Sequence, residues 1–437
     1  MVAGTGKSGQ FKAAMFSAFR ISACLAGLAS VLGAAAPFQV TIGPAPVERA
    51  AQVVSLTLPR ELAAGATLRD ERGQIVPLQA ESDLTARFIV ARQAAGQTLK
   101  FTLEPGRQPD QGNVQVVEEP SPPRPGNTPG IASATSPSRI QEKTGRLRVS
   151  VGGRPILYYQ MDRDAVPRED IDPTLRRAGY LHPVLTPGGF AVTEGFPPDS
   201  VPTQPVSPGI AASGPIIQRS QVRRSASRDT DNAEAPLEFG GVDNIWSGPV
   251  HGGFASWQRW TEDIGPGSAA LVNESWELTA YAVPKTTGEI NLFDIVITQT
   301  NATNVPVKYD EWGLNVAGSA AWRKADSPAQ AVGHIFPAEI GAGKMPHWVG
   351  LTGNGKDRPA SLAVLLPTAG FWAFGGGPTA ITALAQGELF QLAPGARSVL
   401  RHRFVVFDGP PENTLLEALW NGYTVPAVVT ISATDGR

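Results

Sequence analysis

Apolar and polar residues alternate along long stretches of this chain, and this alternation indicates β-strands with one buried face. The pattern is clear in Val54–Leu58 and again in Leu99–Leu103. Between these stretches, Asp70–Gly73 has the composition of a tight hairpin turn. We therefore predict a small β-sandwich domain over residues 37–103.

The alternation returns in the second half of the chain and continues almost to its end. In Trp276–Ala282, apolar residues occupy every second position. Ile290–Thr300 is apolar on both faces, which is typical of a central strand. Leu415–Trp420 has helical spacing, and Gly422 follows where a helix would end. We predict an all-β fold in which residues 142–437 form a large antiparallel β domain with one helix.

Residues 104–141 interrupt this pattern. Eight of these 38 residues are proline and none is aromatic. Such a segment buries too little apolar surface to offset its chain entropy. We expect a Pro-rich linker that behaves as an extended, mobile tether.

The first 36 residues have the pattern of an export signal. Lys7, Lys12 and Arg20 precede the apolar run Ile21–Ala36, which ends in small residues and is too short to cross a bilayer. Cys24, the only cysteine, lies in a loose lipoprotein-type cleavage sequence, so lipidation is the alternative. We expect residues 1–36 to be a signal peptide and the mature protein to be periplasmic or extracellular, without a transmembrane segment.

Composition and charge narrow the classes of partner. The formal net charge is −2, so there is no electrostatic reason to expect nucleic acid. No two of the five histidines have the spacing of metal ligands, and no phosphate loop or dinucleotide motif occurs. We therefore expect neither a metal nor another cofactor.

Aromatic residues are distributed unevenly. All nine tryptophans lie between Trp246 and Trp420, whereas no aromatic residue and no histidine occurs between Phe196 and Phe239. Large aromatic rings contribute to cores and to ligand-contacting surfaces. The functional part of the chain is therefore predicted to lie in its second half.

Several short motifs resemble a bacterial secreted family labelled PmoA-like, a domain family of unknown function. The resemblance covers roughly residues 145–425, and its motifs are Gly179–Val184, Val192–Asp199, Asn273–Leu278, Asn291–Asp294 and Arg403–Pro411. It implies a β-supersandwich similar to galactose mutarotase, which binds carbohydrate across one curved sheet. The methane-oxygenase activity in the label is rejected, because that membrane subunit is a bundle of transmembrane helices and this sequence contains none.

The sequence departs from the family after Phe196–Asp199. Relatives continue with a histidine-rich turn and an aromatic strand, whereas residues 200–228 here consist mainly of Ser, Pro, Arg, Gln and Ala. We expect this segment to be disordered, or to result from a pair of compensating frameshifts.

Sugar chemistry requires an acid and a base beside the reacting carbon, and aromatic faces that hold the ring. We expect His182 or His251 to be the base and Glu311 its carboxylate partner. The candidate substrate-binding residues are Trp257, Trp260, Asp294, Trp312, Arg323, His347 and Trp348.

The leading hypothesis is a secreted protein that binds carbohydrate and acts on it by acid/base chemistry, as an epimerase, lyase or hydrolase. One alternative is a non-catalytic module that binds glycans or another envelope component. A further alternative is an inactive product of a damaged gene. The expected partner is a carbohydrate or another small molecule.

Overall fold

The structure is a computed structural model. It describes residues 37–82, 84–106, 113–121, 144–164, 171, 176–196, 210–212, 216–218, 232–263, 268–309, 313–323, 330–333, 347–367, 371–374, 380–384 and 390–434. These residues form strands for the most part. Among them, no helix is both long enough and apolar enough to span a bilayer.

The first seven strands in chain order are β1 Phe38–Ile42, β2 Arg49–Thr57, β3 Ala66–Asp70, β4 Ile75–Val76, β5 Gln79–Ser82, β6 Thr85–Gln93 and β7 Leu99–Pro105. The next seven are β8 Val114–Pro120, β9 Thr144–Val151, β10 Arg154–Gln160, β11 Tyr180–Val184, β12 Ile210–Ala212, β13 Ile216–Gln218 and β14 Asn232–Glu234.

The third group of strands is β15 Leu237–Trp246, β16 His251–Asp263, β17 Ser268–Tyr281, β18 Ile290–Asn301, β19 Val307–Tyr309, β20 Gly313–Ala317 and β21 Gln330–Gly333. The fourth group is β22 Trp348–Asn354, β23 Pro359–Leu365, β24 Phe371–Phe374, β25 Ala380–Leu384, β26 Phe390–Leu392, β27 Arg397–Asp408 and β28 Val429–Ala433. Helix α1 spans Asn413–Thr424, and short 3-10 turns occur at Arg60–Leu62, Lys285–Thr287 and Ala320–Arg323.

The N-terminal residues form the predicted small β-sandwich. Its sheets have the strand orders β28-β1-β7-β3-β4 and β2-β6-β5. Val40, Leu56, Phe88 and Leu103 are buried between them. One boundary differs from the prediction, because the C-terminal strand β28 pairs with β1 and so belongs to this sandwich. β28 pairs with β1 on the side opposite β7, so both edges of β1 are hydrogen-bonded.

The larger sandwich consists of two antiparallel eight-stranded sheets. Sheet A has the order β24-β25-β20-β12-β11-β10-β9-β8, and sheet B has the order β15-β16-β17-β18-β27-β23-β22-β21. Tyr159 and Leu181 of sheet A pack with Trp276 and Phe293 of sheet B in one core. The all-β prediction, with a large antiparallel sandwich beside a small one, is confirmed.

The predicted central strand, β18, lies between β17 and β27. Phe293 faces the core between the two large sheets, whereas Leu292 faces a second core against α1 and the small sandwich. Because both faces are covered, the strand is apolar on both sides.

Helix α1 also matches the prediction, but Gly422 does not end it. The helix continues to Thr424, with Val425 as the C-cap residue. A Cβ on Gly422 would clash with the carbonyl oxygen of Ala50 on β2. Glycine is therefore needed at this position for close packing against the small sandwich.

Two predicted irregular segments contain ordered strands. Within the predicted linker 104–141, residues of β8 pair with β9, and Val114 and Val116 are buried in the large core. Within residues 200–228, β12 is completely buried between β11 and β20. The tether and disorder predictions are therefore wrong for these strands, because short apolar or alternating runs between the prolines pair with neighbouring strands and bury their side chains. Most of the remaining residues of both segments lie outside the described ranges.

Candidate functional site

The first expected base, His182, lies on β11 in sheet A. Its Nδ1 is 3.2 Å from Thr193 Oγ1, which also accepts the backbone N–H of Val184. The hydroxyl is therefore free to donate its hydrogen to Nδ1. Burial lowers the pKa of His182 to about 4. A Cβ on Gly195 would lie 2.8 Å from the imidazole ring, so the ring is held closely on that side.

The second expected base, His251, begins β16 at the junction between the two sandwiches. Its Nδ1 accepts the indole N–H of Trp246 at 3.3 Å. Its Nε2 lies 3.2 Å from Glu81 Oε1 of the small sandwich, at ion-pair distance but without hydrogen-bonding geometry. Burial, with a contribution from nearby Arg87, lowers the pKa of His251 to about 4. Gln79 Oε1 accepts the backbone N–H of His251, which ties this segment to β5.

The two expected bases lie in different sheets, and no hydrogen bond or ring contact joins them within the described ranges. Glu311 and Trp312 lie outside the described residues, as does the side chain of Arg323. The predicted roles of these three residues therefore stay predictions. In the same described ranges, no group of three or more His, Cys, Asp or Glu side chains is arranged to hold a metal ion.

Asp294 lies on the outer face of sheet B in a buried ion pair. Its Oδ1 and Oδ2 accept hydrogen bonds from Arg403 Nε and Nη2 at 2.7 and 2.9 Å, and Tyr281 donates its hydroxyl to Oδ2 at 2.8 Å. The Arg403 guanidinium also lies 4.2 Å from the ring centroid of Tyr423 on α1. These contacts connect the sheet to the helix, and the positive charge of Arg403 balances the negative charge of Asp294.

Trp260 faces the core between the two large sheets and is 1% exposed. Its indole N–H donates to Glu274 Oε2 at 2.8 Å, and that of Trp276 donates to Oε1 at 2.5 Å. The side-chain amides of Gln258 and Gln299 donate to the same carboxylate at 2.5 and 2.6 Å. Four N–H donors thus stabilise one carboxylate that is 2% exposed.

This Glu274 cluster is a structural centre of the core. Sequence reasoning placed Trp260 beside Trp257 in a sugar-binding site, whereas its indole is enclosed and hydrogen-bonded. The signal that could have revealed the cluster is the alternation itself, because Gln258 and Trp260 lie two apart on β16, and Glu274 and Trp276 lie two apart on β17.

Trp257 is on the opposite face of β16 from Trp260, and 40% of its surface is exposed. The ring lies against Gly240 of the edge strand β15, where an added Cβ would clash with it. Two register shifts interrupt β15 at this point, between Phe239 and Gly241 and then after Val242. The bulged, side-chain-free backbone therefore supports one side of the indole while the ring stays accessible to solvent.

A row of small and hydroxyl-bearing side chains continues from Trp257 across sheet B. Trp257 pairs with Ser275, Ser275 with Thr298, and Thr298 with Val399. Paired residues in antiparallel strands project from the same face. At a strand spacing of about 4.8 Å, this row is about 14 Å long. Polar residues of the neighbouring rows surround it: Arg259, Asn273, Glu277, Thr300, Arg397 and Arg401.

An open groove runs along β15, between this edge of sheet B and the neighbouring edge of sheet A. Its volume is about 680 Å³, which is within the range of small-ligand sites. Met161, Leu237 and Phe239 form apolar parts of the lining. The rim is polar and includes Glu118, Asp162, Arg163, Asp164 and Glu238. Strand β15 thus lines the groove and also packs against the Trp257 ring.

His347 and Trp348 lie at the start of β22 and share a partner on α1. His347 Nδ1 is 3.2 Å from Glu417 Oε2, and the Trp348 indole donates to Glu417 Oε1 at 3.2 Å. The imidazole stacks on Trp420 with a centroid distance of 3.8 Å. The His347 side chain is 42% exposed, whereas that of His251 is 7% exposed. The sequence did not reveal Glu417 as a partner because it lies 70 residues away on the helix.

The protein is all-β, and its large two-sheet antiparallel sandwich is attached to a small β-sandwich. The chain belongs to a family of unknown function, DUF6807, whose model matches residues 146–421. No curated protein matches it. The PmoA-like resemblance stays a prediction.

Two solved structures resemble this fold. One is a protein in the glycosyl hydrolase family 38 from Enterococcus faecalis, with 8% identity and a TM-score of 0.39 over 91% of this chain and 47% of that chain. The other is an alpha-mannosidase from Enterococcus faecalis V583, with 9% identity and a TM-score of 0.40 over 92% of this chain and 46% of that chain. The chain thus spans about half the length of these proteins.

Proposed function

We propose that this protein binds carbohydrate at the β15 edge site, which consists of Trp257, the supporting Gly240 and the groove along β15, with Trp257 as the ring on which a sugar stacks. The observation that carries the proposal is the exposed indole supported by the backbone of Gly240. A flat aromatic ring offers apolar area to the C–H face of a pyranose, and its fixed orientation lowers the entropy lost on binding.

The surroundings of Trp257 suit a hydroxyl-rich ligand. Ser275 and Thr298 continue the row away from the indole and supply hydroxyl groups that can both donate and accept hydrogen bonds. On the groove side of β15, the carboxylates of Asp162 and Glu238 can accept hydrogen bonds from sugar hydroxyls. Phe239 adds an apolar surface to this groove, against which the C–H face of a sugar ring can pack.

The proposal includes export to the periplasm or the cell exterior. It is supported by the charged start and apolar run of residues 1–36. Polymeric glycans of the envelope or the surroundings would then be the accessible ligands.

The test is glycan-array screening of the wild-type protein, followed by calorimetric titration with the best oligosaccharide. We expect Trp257→Ala to weaken binding by about 2 kcal/mol, roughly 30-fold, because a central aromatic contact is lost. Ile75→Ala removes an exposed apolar side chain of the small sandwich and is the matched control. Binding that is unchanged in Trp257→Ala, or no glycan binding at all, would refute the proposal.

A second candidate function is acid/base catalysis at His347. The supporting observation is the half-exposed imidazole whose Nδ1 faces the Glu417 carboxylate. In this orientation, Glu417 can stabilise the imidazolium that forms when His347 accepts a proton from a substrate. Strand β22 lies six strands from β15 in sheet B, so the substrate must be a glycan long enough to reach from the β15 edge site to His347. We expect His347→Gln to abolish turnover of such a glycan while leaving its affinity within twofold. If the wild-type protein turns over none of the glycans that it binds, this second function is excluded.

A further inference from the structure

Arg177 is a buried cation without a carboxylate partner among the described residues. Its exposed fraction is 8%. Its Nη2 makes one long hydrogen bond of 3.4 Å to the carbonyl oxygen of Ala212, and its Nε has no hydrogen-bond partner. The other main contact of the guanidinium is with the Trp260 ring, at 5.3 Å from the centroid.

Arg403, unlike Arg177, has a carboxylate partner. Arg403 is buried to a similar extent, but it forms a bidentate ion pair in which Nε and Nη2 donate to the two carboxylate oxygens of Asp294. An arginine side chain keeps its charge at any ordinary pH, so burial cannot neutralise Arg177 by deprotonation. A buried charge of this kind is costly until a counter-charge is supplied.

The position of Arg177 links it to the groove along β15. Its neighbour in the chain, Ala178, lines the groove. Trp260, on which the guanidinium lies, pairs across the strands with Leu237, which also lines the groove. Arg177 is therefore next to residues of the groove wall, but it is buried and does not itself line the groove.

Two of the four carboxylates on the groove rim have a cation nearby. Asp164 lies 3.9 Å from Arg176, and Glu238 lies 3.0 Å from Arg259, so each has a cation nearby. Asp162 accepts the hydroxyl of Ser121 and the backbone N–H of Asp164. Arg177 thus has no carboxylate at ion-pair distance among the described residues. The buried Glu274 carboxylate accepts a hydrogen bond from the Trp260 indole, on which the guanidinium lies.

We propose that the groove selects sugars that carry a carboxylate, namely uronic acids, and that Arg177 binds this carboxylate. The planar guanidinium matches a carboxylate through two parallel N–H···O bonds, a geometry that neutral hydroxyls cannot reproduce. This inference rests on the proposed glycan-binding function and names its ligand class.

The test compares an oligogalacturonide with its carboxyl-reduced, neutral counterpart in calorimetric titrations of the wild-type protein, Arg177→Gln and Arg176→Gln. We expect the wild-type protein to bind the uronide at least tenfold more tightly. Arg177→Gln should bind the two oligosaccharides with affinities that differ by less than twofold. Arg176→Gln, a change in the adjacent arginine that lies near Asp164, should keep the preference.

A second test uses only the wild-type protein and measures its melting temperature. The uronide should raise the melting temperature of the wild-type protein more than the reduced oligosaccharide does at the same concentration. Equal wild-type affinities, or a preference that survives in Arg177→Gln, would overturn the uronate proposal. If neutral glycans still bind through Trp257 in that case, the proposed function stands, whereas the absence of any glycan binding refutes both.

Discussion

The indole of Trp257 occupies the space that a side chain on Gly240 would need. Gly240→Ala should therefore displace the ring and weaken glycan binding, although Trp257 itself is unchanged. We expect the variant to lose about 1 kcal/mol of unfolding free energy, as is usual when a small group is forced into a packed site.

A double-mutant cycle checks this relationship. In the Trp257→Ala background, the added methyl group meets no ring. Gly240→Ala should then lower the free energy of unfolding by only a few tenths of a kcal/mol, as is usual for a surface substitution that disturbs no contact. Urea unfolding of the four proteins gives the coupling. Equal costs of Gly240→Ala in both backgrounds would mean that the ring is not supported by this glycine.

Glu274→Gln should destabilise the fold strongly. The carboxylate accepts four N–H bonds, and an amide at this position would direct its own N–H₂ group toward some of those donors. We expect a loss of about 3 kcal/mol in the free energy of unfolding measured in urea. Glu277→Gln, three residues along the same strand and exposed, is the control and should change stability by less than about 0.5 kcal/mol. Similar values for the two variants would contradict a central role for Glu274.

Asp294→Asn should leave the Arg403 guanidinium buried without a counter-charge. The expected cost is about 3–5 kcal/mol of unfolding free energy. Combining it with Arg403→Met should restore much of this loss, because the unbalanced charge is then absent. Thermal and urea unfolding of the single and double variants measure the coupling. Additive losses would show that the pair is not the main interaction of either residue.

His402 should make the protein sensitive to acid. Burial lowers its pKa to about 4 from the usual 6.5, so the unfolded chain binds a proton more readily than the folded protein between these pH values. The stability that the neutral form supports is complete above pH 6.5 and is lost progressively as the pH falls toward 4, by about 3 kcal/mol at most.

His402→Leu should remove this contribution while filling the same apolar site. The difference in unfolding free energy between pH 7 and pH 4.5 should then be smaller by about 2–3 kcal/mol than in the wild-type protein. His182 and His251 have similarly lowered pKa values and should account for part of the remaining sensitivity. An unchanged pH dependence in His402→Leu would show that this residue is not protonated on unfolding.

The local sequence pattern predicted individual elements because each depends on short-range periodicity. Ile290–Thr300 and Leu415–Trp420 were predicted as a central strand and a helix, and both are present. The same periodicity could have separated Trp257 from Trp260, since residues three apart on a strand point to opposite faces. The prediction that both belong to one site is therefore wrong for Trp260, which lies in the core, whereas Trp257 lies on the surface.

Other features of the candidate site could not be predicted from local pattern. Glu417 reaches His347 because α1 packs against the large sandwich, and Arg177 lies beside Trp260 because two sheets face each other. The pairing of β1 with β28 likewise brings together residues that are far apart in the chain, such as Val40 and Ile431. Nothing near these residues in the sequence indicates these neighbours.

The sequence by itself determined that this protein is built of antiparallel strands in a large and a small sandwich, because alternation of apolar and polar residues encodes which face of each strand is buried. Only the tertiary structure decided which aromatic rings are accessible and which charges are balanced. Those properties depend on contacts between residues far apart in the chain, and such contacts are set by sheet packing and not by neighbours in sequence.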